Sequence, residues 1–249
     1  MTRLNVIRRF EEISLNAWPA LHTLYYDGWI ARFANGVTKR ANSVHMMYES
    51  TLETESKIKH CEKLYTRQNL PVCFKITEIA CPSNIDTILD NHGYRHEFDV
   101  SVQTMDLKNS GIINDNNSII VEKSDDKWLD NYIKMNEVHP SKRPVLQKII
   151  DNILCDKGLL TYRVNGIPVG CGLGVVEDRF IGLYDIVIDK NFRNRGWGKI
   201  MIENIMGWGI SKGAEMAYLQ VLADNAPALR LYEKVGFKEE YKYWYRIKF

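Results

Sequence analysis

Arg193-Asn194-Arg195-Gly196-Trp197-Gly198 stands between the apolar run 183–188 and a helix-like segment that opens at Lys199. The order predicts a strand, a glycine-rich turn and a helix N-terminus. Such a junction cradles anions. Gly196 and Gly198 lack the Cβ atoms that would hold a diphosphate off the backbone, the first-turn N–H groups of the helix point outward, and the helix dipole favours negative charge there. Arg193, Arg195 and Lys199 surround the turn with positive charge.

Further along, Asp224-Asn225-Ala226-Pro227-Ala228 opens a second helix, and Leu231-Tyr232-Glu233-Lys234-Val235-Gly236-Phe237 closes it with a glycine stop and an aromatic strand. Taken in order, the Arg193-x-x-Gly196-x-Gly198 loop, the Asn at the next helix start and the Leu-Tyr-Glu-Lys-x-Gly-Phe ending make residues 118–249 resemble the GNAT superfamily of acyl-CoA-dependent N-acyltransferases. The resemblance implies that acetyl-CoA is the donor, with its diphosphate on Arg193, Asn194, Arg195, Gly196, Trp197, Gly198 and Lys199. It also implies that the pantetheine arm runs beside the preceding strand as an added strand, on main-chain groups of Ile186, Val187 and Ile188. Asn225 then caps its helix or bonds the pantetheine amide. Trp197 departs from the pattern, because a small or aliphatic residue is more usual there.

The chain has 249 residues, enough for one large domain or two of ordinary size, and 45% of them are hydrophobic and 26% charged, which is soluble globular composition. A formal net charge of +2 gives no argument for nucleic acid. Apolar stretches such as 169–176 are far too short to span a bilayer, and the charged N-terminus lacks the apolar core of a signal peptide, so a cytoplasmic location is expected. Cys61, Cys73, Cys81, Cys155 and Cys171 are odd in number with no CxxC or His-paired spacing, so they read as reduced buried thiols and no metal site is expected. His139-Pro140 breaks two helical patterns where an acyltransferase substrate could pass; a plain turn is the other reading.

The polar stretch 106–118 reads as a linker between residues 1–110 and 118–249. The two halves look alike. If Gly93 is laid on Gly236, an offset of 143, then 75–80 falls on 218–223, Ile88-Leu89-Asp90 on Leu231-Tyr232-Glu233 and Gly93-Tyr94 on Gly236-Phe237. Two copies of one supersecondary unit are expected. The first copy lacks the anion cradle: Ser50-Thr51-Leu52-Glu53-Thr54-Glu55 replaces the loop, Pro82 replaces Asn225 and Leu89 replaces Tyr232. The predicted fold is α+β, with tandem GNAT-like domains, each a mixed, largely antiparallel sheet flanked by helices, the first degenerate.

In the first half, Asn35-Gly36 between runs rich in strand formers reads as a hairpin turn. The Trp-rich run and the Thr38-Lys39-Arg40-Ala41-Asn42-Ser43-Val44 run are similar to the N-terminal half of two-domain bacterial GNAT proteins. Arg32, Lys39, Arg40 and Asn42 either wall a substrate cleft or form a solvated strand face with caps.

Acyl transfer to an amine poses two proton problems. An alkyl ammonium with a pKa of ~10.4 is only about one part in two thousand neutral at pH 7, and the departing thiolate must be stabilised. The resemblance places Tyr232 beside the thioester sulfur as the acid, against the alternative of a tyrosine packed on the sheet. Asp185 lies within the apolar strand 183–188, where an ionised group is costly unless it faces a cleft or a partner, so it is the candidate base; capping, ion pairing and a water relay are the alternatives. The expected reaction is direct attack of a primary amine, on a small molecule or a peptide, on acetyl-CoA. A noncatalytic acyl-CoA-binding sensor is the rival.

Overall fold

In the computed structural model the described residues are 2–108, 110–112, 118–122 and 125–249. The expected linker 106–118 therefore falls partly outside them. The first part of the chain forms α1 (Arg3–Ala17), β1 (His22–Tyr26), β2 (Trp29–Phe33), β3 (Val44–Met46), α2 (Thr54–Arg67), β4 (Val72–Ile76), α3 (Ile85–Asn91) and β5 (Arg95–Asp106). The rest forms β6 (Ser118–Val121), α4 (Asp126–Met135), α5 (Arg143–Asp151), β7 (Asp156–Val164), β8 (Ile167–Glu177), β9 (Phe180–Ile188), α6 (Trp197–Ser211), β10 (Met216–Leu222), α7 (Ala226–Val235) and β11 (Lys238–Lys248).

The offset of 143 carries through whole elements. Thr54 at the start of α2 maps onto Trp197 at the start of α6, and Arg95 at the start of β5 maps onto Lys238 at the start of β11. The fold is α+β, two GNAT-like repeats in tandem, each with one parallel strand pair, β3 with β4 and β9 with β10.

Spatial division differs from the division read in the sequence. One compact unit is Met1–Val100 with Tyr241–Phe249, and the other is Ser101–Glu240. The final strands are exchanged. In the first unit the order is β1-β2-β3-β4-β11, with Trp244 opposite Ile76 and Lys248 opposite Val72. In the second it is β6-β7-β8-β9-β10-β5, and the Leu107 N–H donates to Glu215 O at 2.8 Å just past the end of β5. The boundary expected near 110 thus lies ten residues earlier, and the last nine residues complete the first unit.

Sterics place the tight hairpin of the first unit one turn earlier than expected. Tyr26 pairs with Trp29, so Asp27-Gly28 is the two-residue loop, with φ of 43° and 79°. Asn-Gly and Asp-Gly both suit such a turn, but a Cβ on Gly28 would lie 2.2 Å from Glu49 O, so only glycine fits at 28. Asn35-Gly36 instead opens the longer connection from β2 to β3, held by Asn42, whose Oδ1 accepts from the N–H groups of Ala34 (2.7 Å) and Gly36 (2.9 Å). Arg32 is 3% exposed and donates to the carbonyls of Leu15, Trp18 and Arg40. Lys39 lies over Phe98 and Arg40 over Trp18. Arg32 and Asn42 therefore organise backbone from buried positions, so neither lies on a solvated strand face, and only the capping half of that reading describes their contacts.

Asp27 also explains what became of the first repeat's cradle. Its carboxylate accepts from the N–H groups of Thr51 (3.0 Å) and Leu52 (2.8 Å), from Thr51 Oγ1 (2.9 Å) and from Lys57 Nζ (3.1 Å). Under the offset, Thr51 and Leu52 correspond to Asn194 and Arg195. The first repeat thus holds an anion of its own chain where, among the described residues, no side chain bonds over the start of α6 in the second, and Glu53 caps α2 by accepting from Ser56 N–H at 3.0 Å. The Leu52 and Thr51 N–H groups hold the Asp27 carboxyl well below the usual carboxylate range. Because the folded state has the lower pKa, this stabilisation is present above the unfolded pKa of ~3.9 and is lost as pH falls further. Asp27→Asn is expected to lower Tm at pH 7, with the gap from wild type closing below about pH 4; thermal melts across pH check this, and a gap independent of pH would contradict it.

Candidate active site

Three features converge at the C-terminal end of β9. The first is a bulge. Against β8, Cys171 pairs with Val187 but Leu173 pairs with Tyr184, so Asp185 and Ile186 together face Gly172. Asp185 has φ of 50°, in the left-handed region that Asp tolerates better than most residues. The cost of a carboxylate in this strand thus has a backbone reason besides any chemical one: the side chain is half-buried, and the residue makes the bend.

The second feature is a parting of strands. Parallel pairing of β10 with β9 runs from Met216–Phe180 to Leu219–Leu183 and stops there, directly before the bulge. Ile186, Val187 and Ile188 continue along β8, and their β10-facing edge is left without pairing to β10. An extended chain with alternating amide donors and acceptors can add there as a strand does.

The third is the turn that follows. Asn194 (φ 61°) and Gly196 (φ 84°) are both left-handed, and Gly196 caps α6 with no side chain bonded over the helix end. A Cβ built on Gly196 meets nothing within 4 Å, so the approach to the first-turn amides is open. That openness, with the free helix N-terminus, fits a diphosphate. Arg193 Nε donates to Ile188 O at 3.1 Å, tying the turn to the strand; Arg195 lies over Phe192, and Lys199 pairs with Glu203 at 3.7 Å on the surface. Gly198 serves packing instead: a Cβ there would stand 2.9 Å from Leu231 Cδ2 and 3.9 Å from Ile188 Cγ1. Its absence lets α6, α7 and the end of β9 close together.

Asn225 caps α7, its Oδ1 accepting from Ala228 N–H at 3.2 Å. Tyr232, one residue beyond Leu231, is half-buried beside the second unit's core, its ring edge-on to Phe237 at 5.9 Å between centroids. Burial pushes its phenol up to about 12, so the hydroxyl keeps its proton at neutral pH. Trp197 tilts against Tyr162 at 5.8 Å, and its buried indole N–H has no hydrogen-bond partner among the described residues. Gly198, Leu231 and Ile188 therefore bring α6, α7 and the end of β9 together, with Asn225 at the start of α7 and Tyr232 next to Leu231 along it. His139 Nδ1 accepts from Ser141 N–H in its own turn, and Glu137, two residues before it, pairs with Lys190 just past the end of β9 at 3.1 Å. Cys171 is fully buried, and burial raises its thiol to about 12, which removes the thiolate a covalent route would need.

The strand parting and the bulge were not readable beforehand, since nothing in 183–188 except one Asp breaks the strand pattern. That Asp was the available signal.

Residues 5–246 match the family model described as Probable histone acetyltransferase Rv0428c C-terminal. The chain belongs to this family, within the GNAT superfamily. A similar relative is the uncharacterized N-acetyltransferase YobR of Bacillus subtilis, 30% identical over 250 residues, covering 97% of this chain and 98% of the relative. Among solved structures, a GCN5-related N-acetyltransferase from Kribbella flavida superposes with a TM-score of 0.73 at 12% identity, over 97% of this chain and 95% of that one. A tandem GNAT protein from the clavulanic acid biosynthesis pathway gives 0.58 at 10% identity, over 82% and 75%. These two likenesses concern the fold. For this GNAT member, acetyltransferase activity in general is supported by the relatives' names and the shared fold. No helix among the described residues is long and apolar enough to cross a membrane.

Proposed function

We propose that the protein transfers an acetyl group from acetyl-CoA to a primary amine by direct attack, using one site in the second repeat. The observation that carries this reading is the unpaired edge of Ile186–Ile188 leading straight into the open N-terminus of α6. Such an edge suits the two amides of a pantetheine arm, and the helix end suits the diphosphate. Arg193, Asn194, Arg195, Trp197 and Lys199 would line the diphosphate's surroundings, and Asn225 would remain a cap that can also face the arm.

In the proposed reaction the neutral amine attacks the thioester carbonyl, the C–S bond breaks and CoA departs as a thiolate that takes its proton from solvent. Tyr232, protonated at neutral pH, would donate a hydrogen bond to the departing sulfur. Asp185, at the bulge where the strands part, is the carboxylate proposed to receive the amine's proton, directly or through water. The acceptor is a small-molecule or peptide amine.

Amine-dependent release of CoA thiol tests this against a binding-only role. With a panel of primary amines, release from acetyl-CoA is expected to rise well above the amine-free rate for at least one class and to saturate. Tight CoA binding with no amine-stimulated release from any of them would favour an acyl-CoA sensor.

A further inference from the structure

The exchange of final strands makes a residue-by-residue comparison of the two repeats possible outside the proposed active site. In the first unit, Arg246 of β11 faces α3. Its guanidinium binds Asp86 (Nε to Oδ1 2.8 Å, Nη2 to Oδ2 3.0 Å), Asp90 and the Tyr94 carbonyl. Trp244 fills the space beside it, donating Nε1–H to Asp86 at 2.8 Å and stacking on His96. A planar cation and a flat ring thus plug the channel between helix and strand.

Subtracting 143 from 246 and 244 gives Gln103 and Ser101 on β5, and adding 143 to 86, 90, 94 and 96 gives Leu229, Glu233, Phe237 and Glu239. Of these six, all but Ser101 line a groove of about 560 Å³ beside α7, within the second unit. The groove is where the plug would be. Loss of the indole and the guanidinium opens the space, while Leu229 and Phe237 keep an apolar wall and Glu233 keeps one carboxylate.

One buried atom shows that the replacement is chemically incomplete. Gln103 is 7% exposed, and its Oε1 has no hydrogen-bond partner among the described residues. The amide's orientation is fixed by its neighbour: Ser101 Oγ donates to Glu239 Oε2 at 2.8 Å, so it can only accept from Gln103 Nε2, at 3.4 Å. Oε1 is therefore the atom left over. A buried amide oxygen without a donor costs free energy that a ligand N–H would recover. The rim carries Arg230 and Lys238 as well as Glu233 and Glu239, so the groove's net charge selects nothing. The choice of ligand rests on Gln103 and on what fills the same place in the first repeat.

We propose that this groove is a second ligand site, for a molecule that carries an amidinium or guanidinium group on a flat apolar body. The cationic N–H fork meets Glu233, the Gln103 side chain turns its Oε1 out of its buried position to accept from the same fork, and the ring lies along Leu229 and Phe237. Its volume is within the range of small-molecule sites. The site lies on the face of α7 that holds Leu229 and Glu233, whereas Leu231 faces Gly198 and α6.

Benzamidine supplies both parts of that chemistry, and benzoate is the same ring with the opposite charge. Titrating each into the ¹⁵N-labelled full chain should give saturable shifts at 226–239 and at the Gln103 side-chain amide with benzamidine only. Gln103→Leu should weaken benzamidine at least about tenfold. Gln103→Arg, which restores the first repeat's own guanidinium, should abolish the shifts. CoA affinity should stay as in wild type in both variants, which separates this site from the proposed acyl-transfer site. If either variant unfolds, Ser101→Trp, which refills the ring space, carries the same expected loss. Equal binding of benzoate, unsaturable shifts, or wild-type benzamidine affinity in the folded variants would overturn the proposal.

Discussion

Replacing Tyr232 with Phe is expected to lower kcat by roughly 10²-fold or more while leaving CoA affinity nearly unchanged. The ring's edge contact with Phe237 and its place beside the core survive the substitution, so only the hydroxyl is lost. That hydroxyl is held protonated, at a pKa of about 12, because burial disfavours the phenolate. A phenol of that strength is a weaker acid than a thiol near ~8.5, so full proton transfer to sulfur is uphill. Its contribution is then a hydrogen bond that strengthens as charge develops on the leaving sulfur, which concerns the transition state and not ground-state binding. Single-turnover rates with the variant check the size of the effect. A kcat unchanged when chemistry limits turnover would return Tyr232 to a packing role.

Gly196→Asp should weaken CoA binding by on the order of 10²- to 10³-fold. At φ of 84° the position admits Asp only with some strain, of about 1 kcal/mol. That strain alone would lower stability slightly and leave affinity near wild type. The larger loss comes from placing a carboxylate in the open space over the α6 amides, where it competes for their N–H groups as Asp27 does at Thr51 and Leu52. Gly196→Ala separates the two effects, because it carries the backbone strain without the charge. Calorimetric titration of CoA into both variants should show a large loss for Asp and a small one for Ala. Equal affinities across wild type and both variants would remove the cradle assignment.

Much of this architecture could be read from the residues. The glycine turn, the Asn225 cap, the glycine stop at 236 and the offset of 143 are local signals, set by backbone conformations that few residues adopt, and each appears where it was expected. The exchange of β5 and β11 was hidden because both are long strands of similar length, 12 and 11 residues, so either could complete either sheet; only long-range pairing decides between them. The Asp27 nest was hidden for a related reason. Asp27-Gly28 forms the tight turn that was expected at Asn35-Gly36, and nothing local reveals that the Asp27 carboxylate reaches residues 51 and 52. Arg32, Lys39 and Arg40 show the limit of charge as a guide: a basic run on a strand suggested a cleft wall, yet Arg32 is buried on three carbonyls. Asp185 lies between these cases, since its oddity was visible while its left-handed backbone was not.

The number of CoA molecules bound per chain tests the central claim most directly. With the second repeat's cradle open and the first repeat's amides held by Asp27, calorimetry at saturating CoA should give one site per chain. Arg193→Glu combined with Gly196→Asp should abolish it. Two sites per chain, or one site that survives the double substitution, would contradict the account.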